Sequence, residues 1–310
     1  MKGTCMKQAK LTKVVDGDTV KVLADTEEES LRLACLDTEE SCHGSYKPVT
    51  NAGKAASKWA KEFFGADDKG LPAGDVFVDV EFDTSDPVPV CMKKHRGNYG
   101  RLICYVYKDG RNYNLDAVQE GWSPYFVKYG RSRLYHEDLM KAEAQAQAQG
   151  IGVWNPDINA GGNSRCYDVL LPWWHSRAGV VEDYRRFGVQ AGALSVRLDY
   201  DGIVEAANVE SSLTVFCDLQ GGIHKWAGDG ALIYAGSIAQ KFNLWIPERD
   251  SATAQEILRL IETRYAGHGL GYVYVRGEAT MYPDEKGVPE IVLRDMTQLS
   301  DFPPGREKHE

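Results

Sequence analysis

The run VVDGDTVKV at residues 14–22 constrains the first half of the chain more than any other stretch. Asp16, Gly17 and Asp18 separate two β-prone segments, AKLTKVV before them and TVKVLA after them. Aspartate and glycine in this position are typical of the tight turn of a β-hairpin. The run therefore predicts an antiparallel hairpin whose turn carries two carboxylates, although a turn by itself would not need both.

Further short strands and two longer helices follow the hairpin. ESLRLACL alternates apolar and polar side chains as a half-buried strand does, and GDVFVDVEF and GRLICYVY are further strand-like segments. NAGKAASKWAKEFF and RLYHEDLMKAEAQAQAQG have helical periodicity, and Gly150 is suited to end the second helix. Short strands capped by helices predict a small closed or partly open β-barrel, and hence a mainly β fold class with helices.

The composition of the sequence changes after residue 156. DINAGGNS (157–164) is polar and glycine-rich, as a linker or a long loop is, and a helix with an early proline, LLPWWHSRAGVVEDYRRFG, follows it. From about residue 211, three strands, a helix that Ser251 can cap and two more strands succeed one another. We expect a first domain at 8–156, a linker with a helix at 157–210, a second β-barrel domain at 211–302 and a disordered tail at 303–310.

The formal net charge of −9 argues against a protein that binds nucleic acid by bulk attraction. The charge is uneven, with −2 over residues 1–156 and −7 over the rest. Local arginines and lysines in the nearly neutral first half could still bind phosphate. The acidic second domain favours a protein partner or a homodimer over nucleic acid.

The sequence shows no recognisable membrane-spanning segment or secretory signal. No run approaches the roughly 18 apolar residues of a membrane span, so we expect no membrane partner. The start, MKGTCMKQAK, lacks the apolar segment of a secretory signal, and the seven cysteines show no zinc-type spacing. Both features favour the cytoplasm, while secretion after removal of a signal stays open.

Charged residues collect where the predicted strands of the first half begin or end. Asp18 closes the hairpin, Arg32 lies in the third strand, Asp37 and Glu40 follow the end of that strand, and Arg101 opens a later one. Carboxylates suit Ca²⁺ or Mg²⁺, a glutamate can take a proton from water, and guanidiniums can fork onto phosphate oxygens. As a set they predict metal-assisted phosphodiester cleavage. Taken singly, each has a structural explanation, such as a solvated turn or an exposed strand residue.

Four stretches resemble, in order, the thermonuclease family, typified by staphylococcal nuclease: VVDGDTVKV, LRLACLDTEE, NYGRLICYVYKDGRNYN and KAEAQAQAQGIGVW. The resemblance covers about residues 8–155 and implies a five-stranded OB-fold barrel with three helices. A second passage, GYVYVRGEATMYPDEKGVPEIVLRDMTQL, is similar to part of small OB domains found beside some nucleases and helicases. The second expected barrel is therefore OB-like too.

The resemblance implies a metal site. Asp18 and Asp37 match the carboxylates that hold Ca²⁺, with the Thr38 carbonyl as a third protein ligand. Asp16 matches an aspartate beside the metal-bound water. Ca²⁺ is the expected cofactor, with Mg²⁺ or Mn²⁺ less favoured.

The resemblance also implies catalytic and substrate-binding residues. Glu40 matches the general base, and Arg32 and Arg101 match two phosphate-binding arginines. Three tyrosines are expected at the substrate: Tyr99, which precedes Gly100-Arg101, and Tyr125 or Tyr129 as a base-stacking residue. The sequence departs from the family where its usual proline between threonine and glutamate is Glu39.

Enzymes of this family cut DNA and RNA with little sequence preference and leave 3′-phosphates. The resemblance thus implies a Ca²⁺-dependent endonuclease acting on DNA or RNA, with single strands favoured. The alternative is a catalytically inactive scaffold of the same fold that binds nucleic acid or protein. Such scaffolds typically lose the carboxylates or arginines, whereas this chain keeps them.

Overall fold

The computed structural model describes residues 2–24, 26–43, 47–219, 225–283 and 287–306. Contacts divide the chain into two compact units. The first contains Met1–Gly97, Arg101–Val127 and Arg131–Leu170, and the second contains Asn98–Gly100, Lys128–Gly130 and Leu171–Glu310. Residues 157–170, expected in a linker, thus belong to the first unit. The last four residues of the expected tail lie outside the described residues.

The described residues of the first unit are built around six strands. Its elements are β1 (Thr4–Val14), β2 (Thr19–Ala24), β3 (Glu27–Leu33), α1 (Asn51–Phe64), β4 (Phe77–Phe82), α2 (Val88–Lys94), β5 (Leu102–Lys108), β6 (Arg111–Asn112), α3 (Tyr113–Gln119) and α4 (His136–Gln149). The strand order is β3-β2-β1-β4-β5-β6, and β3 also pairs with β5. That additional parallel pairing closes β1 to β5 into a barrel, so the predicted five-stranded barrel is confirmed.

Alternation along the strands fills the barrel. Val20 and Val22 on β2, and Leu31 and Leu33 on β3, are each at most 1% exposed. Successive side chains of a strand point to opposite faces, so this period of two sends one set into the core. The polar residues at the strand ends remain available for a site at the barrel's rim.

Helix α1 begins and ends as its sequence predicts. The Thr50 hydroxyl accepts a hydrogen bond from the Gly53 N–H and caps the first turn. Gly65 ends the helix with φ of 72°, a left-handed conformation that glycine adopts without steric cost. The start of α1 therefore has a fixed position directly after the segment that carries Asp37 and Glu40.

The second unit contains one eight-stranded sheet with helices. Its elements are α5 (Tyr167–Asp183, of which the first four residues belong to the first unit), β7 (Leu194–Ser195), α6 (Tyr200–Asn208), β8 (Ser212–Asp218), β9 (Lys225–Ala227), β10 (Gly230–Tyr234), β11 (Asn243–Ile246), α7 (Ala252–Leu260), β12 (Tyr272–Tyr282), β13 (Val288–Val292) and β14 (Leu299–Ser300). The order is β7-β8-β12-β13-β11-β10-β9, and β14 pairs with β12.

The expectation of a second OB-like barrel was wrong, because this sheet is open. Closure would require its two terminal strands to pair, and among the described residues β7 and β9 lie at opposite ends of the order. β7 comes from the segment expected to be a linker and pairs in parallel with β8. The strands predicted between residues 211 and 300 exist, but pairing between distant segments decided how they are arranged.

None of the helices in the described part of the chain combines the length and the apolar character needed to cross a membrane.

Candidate functional site

The hairpin turn between β1 and β2 presents Asp18 at the barrel's rim. The Asp18 N–H donates to Asp16 Oδ1 at 3.0 Å, which closes the turn on itself. A Cβ at Gly17 would lie 2.8 Å from Thr38 Cγ2, so only glycine allows this close approach. Burial, followed by the negative charge of Asp18, raises the pKa of Asp16 above its ordinary value.

Arg32 on β3 bridges two carboxylates. Its Nη1 pairs with Oδ1 of Asp18, and its Nη2 donates to Oδ1 of Asp37 at 2.8 Å. The Asp18 and Asp37 side chains are only 6% and 5% exposed, so this charge cluster is largely removed from solvent. Burial by itself would lower the pKa of Arg32, but the two aspartates outweigh burial and raise it.

Three cationic side chains bind Asp37. Arg32 and Lys47 donate to its Oδ1 at 2.8 and 3.0 Å, and Arg165 donates to its Oδ2 at 2.7 Å. The Asp37 N–H donates to Ser123 Oγ at 2.8 Å, which fixes the backbone as well. Burial opposes ionisation, but Arg165, Lys47 and Arg32 hold the pKa of Asp37 well below its usual range. Asp37 is therefore a fixed anion.

Thr38 joins the two carboxylate segments. Its N–H donates to Asp18 Oδ2 at 3.1 Å, and its side chain is buried at 3% exposure. The Thr38 backbone, whose carbonyl the family resemblance implies as a third oxygen ligand, thus lies beside Asp18. Asp18, Arg32, Asp37 and Thr38 form one contiguous group.

Arg101 and Glu40 are linked to this group through one further residue each. Arg101 donates to Thr19 Oγ1 at 3.2 Å, and that hydroxyl donates to Asp18 Oδ1 at 2.9 Å. Lys47 Nζ lies 3.8 Å from Glu40 Oε1 and also binds Asp37. The parallel pairing of β3 with β5 brings Arg32 opposite Ile103 and so places Arg101 nearby.

The three candidate tyrosines are placed differently from the charged residues. Tyr125 is fully buried, and its hydroxyl pairs with His136 Nδ1 at 3.0 Å. A buried ring has no free face on which a base could stack. Tyr99 is 73% exposed, and both Tyr99 and Tyr129 belong to the second unit by their contacts.

Sequence reasoning missed Lys47 and Arg165, which both bind Asp37. Lys47 follows residues 44–46, which lie outside the described residues. The sequence around it, from Ser41 to Thr50, differs from that of the family. Arg165 lies 128 residues from Asp37 in the chain, and no motif or spacing connects the two. A single arginine in a glycine-rich segment carries no signal by which it could have been found.

The oxygen atoms of this group are of the chemical type that binds divalent cations. Among the described residues no group of three His, Cys, Asp or Glu side chains is arranged to hold a metal ion. Asp18 and Asp37 nevertheless converge on one positive group, the Arg32 guanidinium, which takes Oδ1 of each. Two carboxylates and a neighbouring backbone carbonyl are hard oxygen ligands, and water or phosphate oxygens commonly complete such a shell.

Comparisons with known proteins match the part of the chain that carries most of this site. The family model for the staphylococcal nuclease homologue matches residues 30–156. That range includes Arg32, Asp37, Glu40 and Arg101, whereas Asp18 precedes it.

Three curated proteins illustrate the similarity. The chain is 29% identical over 148 residues to the SPbeta prophage-derived endonuclease YokF of Bacillus subtilis, covering 47% of this chain and 43% of that protein. It is 28% identical over 148 residues to the endonuclease YncB of Bacillus subtilis, covering 47% and 60%, and 29% identical over 147 residues to the thermonuclease of Staphylococcus hyicus, covering 47% and 75%. The chain thus spans about half the length of the first two.

Proposed function

We propose that this chain, whose residues 30–156 form a domain of the staphylococcal nuclease family, is a Ca²⁺-dependent nuclease that hydrolyses phosphodiester bonds of DNA or RNA. The observation that carries the proposal is the buried group in which Arg32 bridges Asp18 and Asp37. Nuclease names among the similar proteins support the same reaction class.

Asp18, Asp37 and the Thr38 carbonyl are the residues that would hold the cation. Both carboxylates are buried, and Asp37 is kept ionised by its cationic neighbours. A bound divalent cation would polarise the phosphoryl oxygen and stabilise negative charge as it develops. Asp16 braces the turn that presents Asp18.

Arg32 and Arg101 would bind the phosphate. A guanidinium offers several N–H donors in a planar fork that matches phosphate oxygens. The Arg32 donors that hold the two carboxylates are of the kind that would neutralise a dianionic transition state. Arg101 approaches the same group from the start of β5 through Thr19.

Glu40 would take the proton from the attacking water. Its side chain is 24% exposed, in contrast to the buried Asp18 and Asp37, so water can reach it. Lys47 lies between Glu40 and Asp37 and supplies positive charge there. Attack on phosphorus with departure of the 5′ oxygen would leave a 3′-phosphate.

The substrate is a nucleic acid strand that the site binds by its phosphate groups rather than by its bases. The described residues of the site are charged groups suited to phosphate, and phosphate contacts carry no sequence information, so low sequence preference follows. Single strands are favoured because a flexible backbone can bring one phosphate to a site at a barrel's rim. Tyr99, at 73% exposure, is the tyrosine candidate that a strand in solvent could contact.

Cleavage in defined metal conditions tests the proposal. Labelled single-stranded DNA and RNA are incubated with the full chain in Ca²⁺, in Mg²⁺ and in chelator. We expect cleavage in Ca²⁺, none in chelator, and products that a 3′-phosphatase modifies. Arg111→Ala, which removes one positive charge from the same unit at an exposed pair with Asp116, should cleave in Ca²⁺ as the native chain does. Binding of the strands in Ca²⁺ without any cleavage would favour the inactive scaffold and reject the nuclease.

A further inference from the structure

A segment beyond the family-matched residues supplies a side chain to the site. Arg165 lies nine residues after the end of the match at residue 156, yet its side chain is only 11% exposed. Its Nη2 donates to Asp37 Oδ2 at 2.7 Å, and its Nη1 donates to the Asp37 carbonyl at 3.2 Å. One guanidinium therefore holds both the side chain and the backbone of the same aspartate.

Glu39 anchors this segment on both sides of Arg165. Its Oε2 accepts from Asn159 Nδ2 at 3.0 Å, and its Oε1 accepts from the Tyr167 hydroxyl at 3.0 Å. The Glu39 side chain is buried, so both of its oxygens are satisfied by these partners. The departure of this position from the family's proline thus has a structural role, which is to fix the segment 159–167.

Two more contacts make the anchor rigid. Asn159 Oδ1 accepts from the Ala52 N–H at 2.9 Å, which ties the segment to the first turn of α1. The Arg165 guanidinium lies over the Tyr167 ring, 5.5 Å from its centroid. Arg165 is therefore held by the Tyr167 ring as well as by Asp37, which restricts its side-chain motion.

The cations divide the two oxygens of Asp37 between them. Arg32 and Lys47 donate to Oδ1, Arg165 donates to Oδ2, and the same Arg32 guanidinium also pairs with Asp18 Oδ1. A donor fork that joins the carbonyl and the carboxylate of one residue restricts that residue's side-chain torsions. With Oδ2 held by Arg165, it is Oδ1 of Asp37 that meets the guanidinium shared with Asp18.

We propose that Arg165 is a positioning residue that orients Asp37 so that its Oδ1 is presented, together with Asp18, to the divalent cation. This inference rests on the proposed function, since it assigns the cation to Asp18 and Asp37. Removal of a residue that orients a ligating carboxylate commonly lowers metal affinity by about 10–100-fold. The segment 157–167 is then part of the nuclease site, and Glu39 is its anchor.

The direction in which Ca²⁺ affinity changes when Arg165 is removed distinguishes a positioning role from a purely electrostatic one. A guanidinium close to a cation site repels the cation, so removal of its charge alone would tighten metal binding. Removal of a positioning partner lets Asp37 rotate and weakens metal binding. The two readings therefore predict opposite changes in the dissociation constant.

Calorimetric titration of the full chain with Ca²⁺, without nucleic acid, tests the inference. We expect Arg165→Ala to weaken Ca²⁺ binding by about 10–100-fold. Arg165→Lys keeps the charge but loses the fork and should lie between Arg165→Ala and the native chain. Arg111→Ala removes a positive charge elsewhere in the unit and should bind Ca²⁺ as the native chain does. An Arg165→Ala affinity within twofold of native, or tighter, would overturn the inference.

Two further measurements keep the result interpretable. Tyr167→Phe removes one hydrogen bond to Glu39, leaves Arg165 in place and should weaken Ca²⁺ binding by a smaller factor, so the inference stays testable if Arg165→Ala folds poorly. Excess Ca²⁺ should restore cleavage by Arg165→Ala, whereas a residue that contacts the phosphate could not be rescued in this way. A native chain that binds no Ca²⁺ would instead reject the proposed function itself.

Discussion

Replacement of Arg32 by alanine separates the electrostatic role of this residue from its catalytic role. The guanidinium binds Asp18 and Asp37, both of which are almost fully buried. Loss of one partner of a buried ion pair typically costs about 3–5 kcal/mol, because the remaining charge is left uncompensated. We expect the lower end of that range, since Asp37 keeps Lys47 and Arg165.

Arg101→Ala is the matched variant. Arg101 contacts the group through the Thr19 hydroxyl at 3.2 Å, and loss of a hydrogen bond of this kind should change stability by about 1 kcal/mol. Both variants should lose about 10³-fold in cleavage rate, in line with the loss of a group that stabilises transition-state charge. The pair thus has similar activities but different stabilities.

Hydrogen exchange of β2 and β3 amides in chelator measures the local stability, and cleavage of labelled single-stranded DNA measures the activity. Exchange is suited to this chain because it resolves the barrel strands from the second unit. Added Ca²⁺ supplies positive charge to the same carboxylates, so the stability gap for Arg32→Ala should narrow while its activity stays low. Cleavage by Arg32→Ala within tenfold of native, or equal exchange rates for the two variants in chelator, would refute the reasoning.

Three other predictions concern the base, the core and the second unit. Glu40→Gln should lower the cleavage rate by about 10²–10⁴-fold, and its Ca²⁺ titration should match that of the native chain; undiminished cleavage would remove Glu40 from the mechanism. Leu31→Ala should lower the free energy of unfolding by about 2–5 kcal/mol, because Leu31 is fully buried. Leu71 is 48% exposed, so Leu71→Ala should change that free energy, measured by urea-induced unfolding, by about 0.5 kcal/mol or less. Burial raises the pKa of Glu290 from 4.5 to about 7, so the unfolded state ionises first and stability falls as pH rises between these values. Glu290→Gln should therefore protect the β12 and β13 amides relative to native at pH 8, by at most about 3 kcal/mol, and this advantage should vanish at pH 4; a gain that is the same at both values would contradict the assignment.

Several features of the site were predictable from the sequence because they are local. Turn chemistry at Asp16-Gly17-Asp18 and alternation along β3 place Asp18 and Arg32 at known points of a hairpin and a strand. Asp37 follows the end of β3 within a few residues. The arrangement of these charges at strand ends needed no knowledge of distant pairings.

Other features depend on contacts between remote segments. The β3–β5 pairing brings Arg101 to Arg32 across 69 positions of sequence, and the docking of residues 157–167 adds Arg165. The ring of Tyr125 was a candidate for stacking, but it packs inside the first unit. Whether a ring is buried, and which strand edges pair, depends on the tertiary packing of the whole unit rather than on local sequence.

The sequence by itself predicted the barrel strands, helices α1 and α4, and the charged residues at the strand ends, because periodicity and turn chemistry act within a few residues. Only the tertiary structure decided that the second sheet stays open, and that Glu39 anchors the segment that carries Arg165 to Asp37. The physical reason is that closure and docking depend on which distant surfaces bury most area and satisfy most polar groups together. That choice is a property of the assembled molecule.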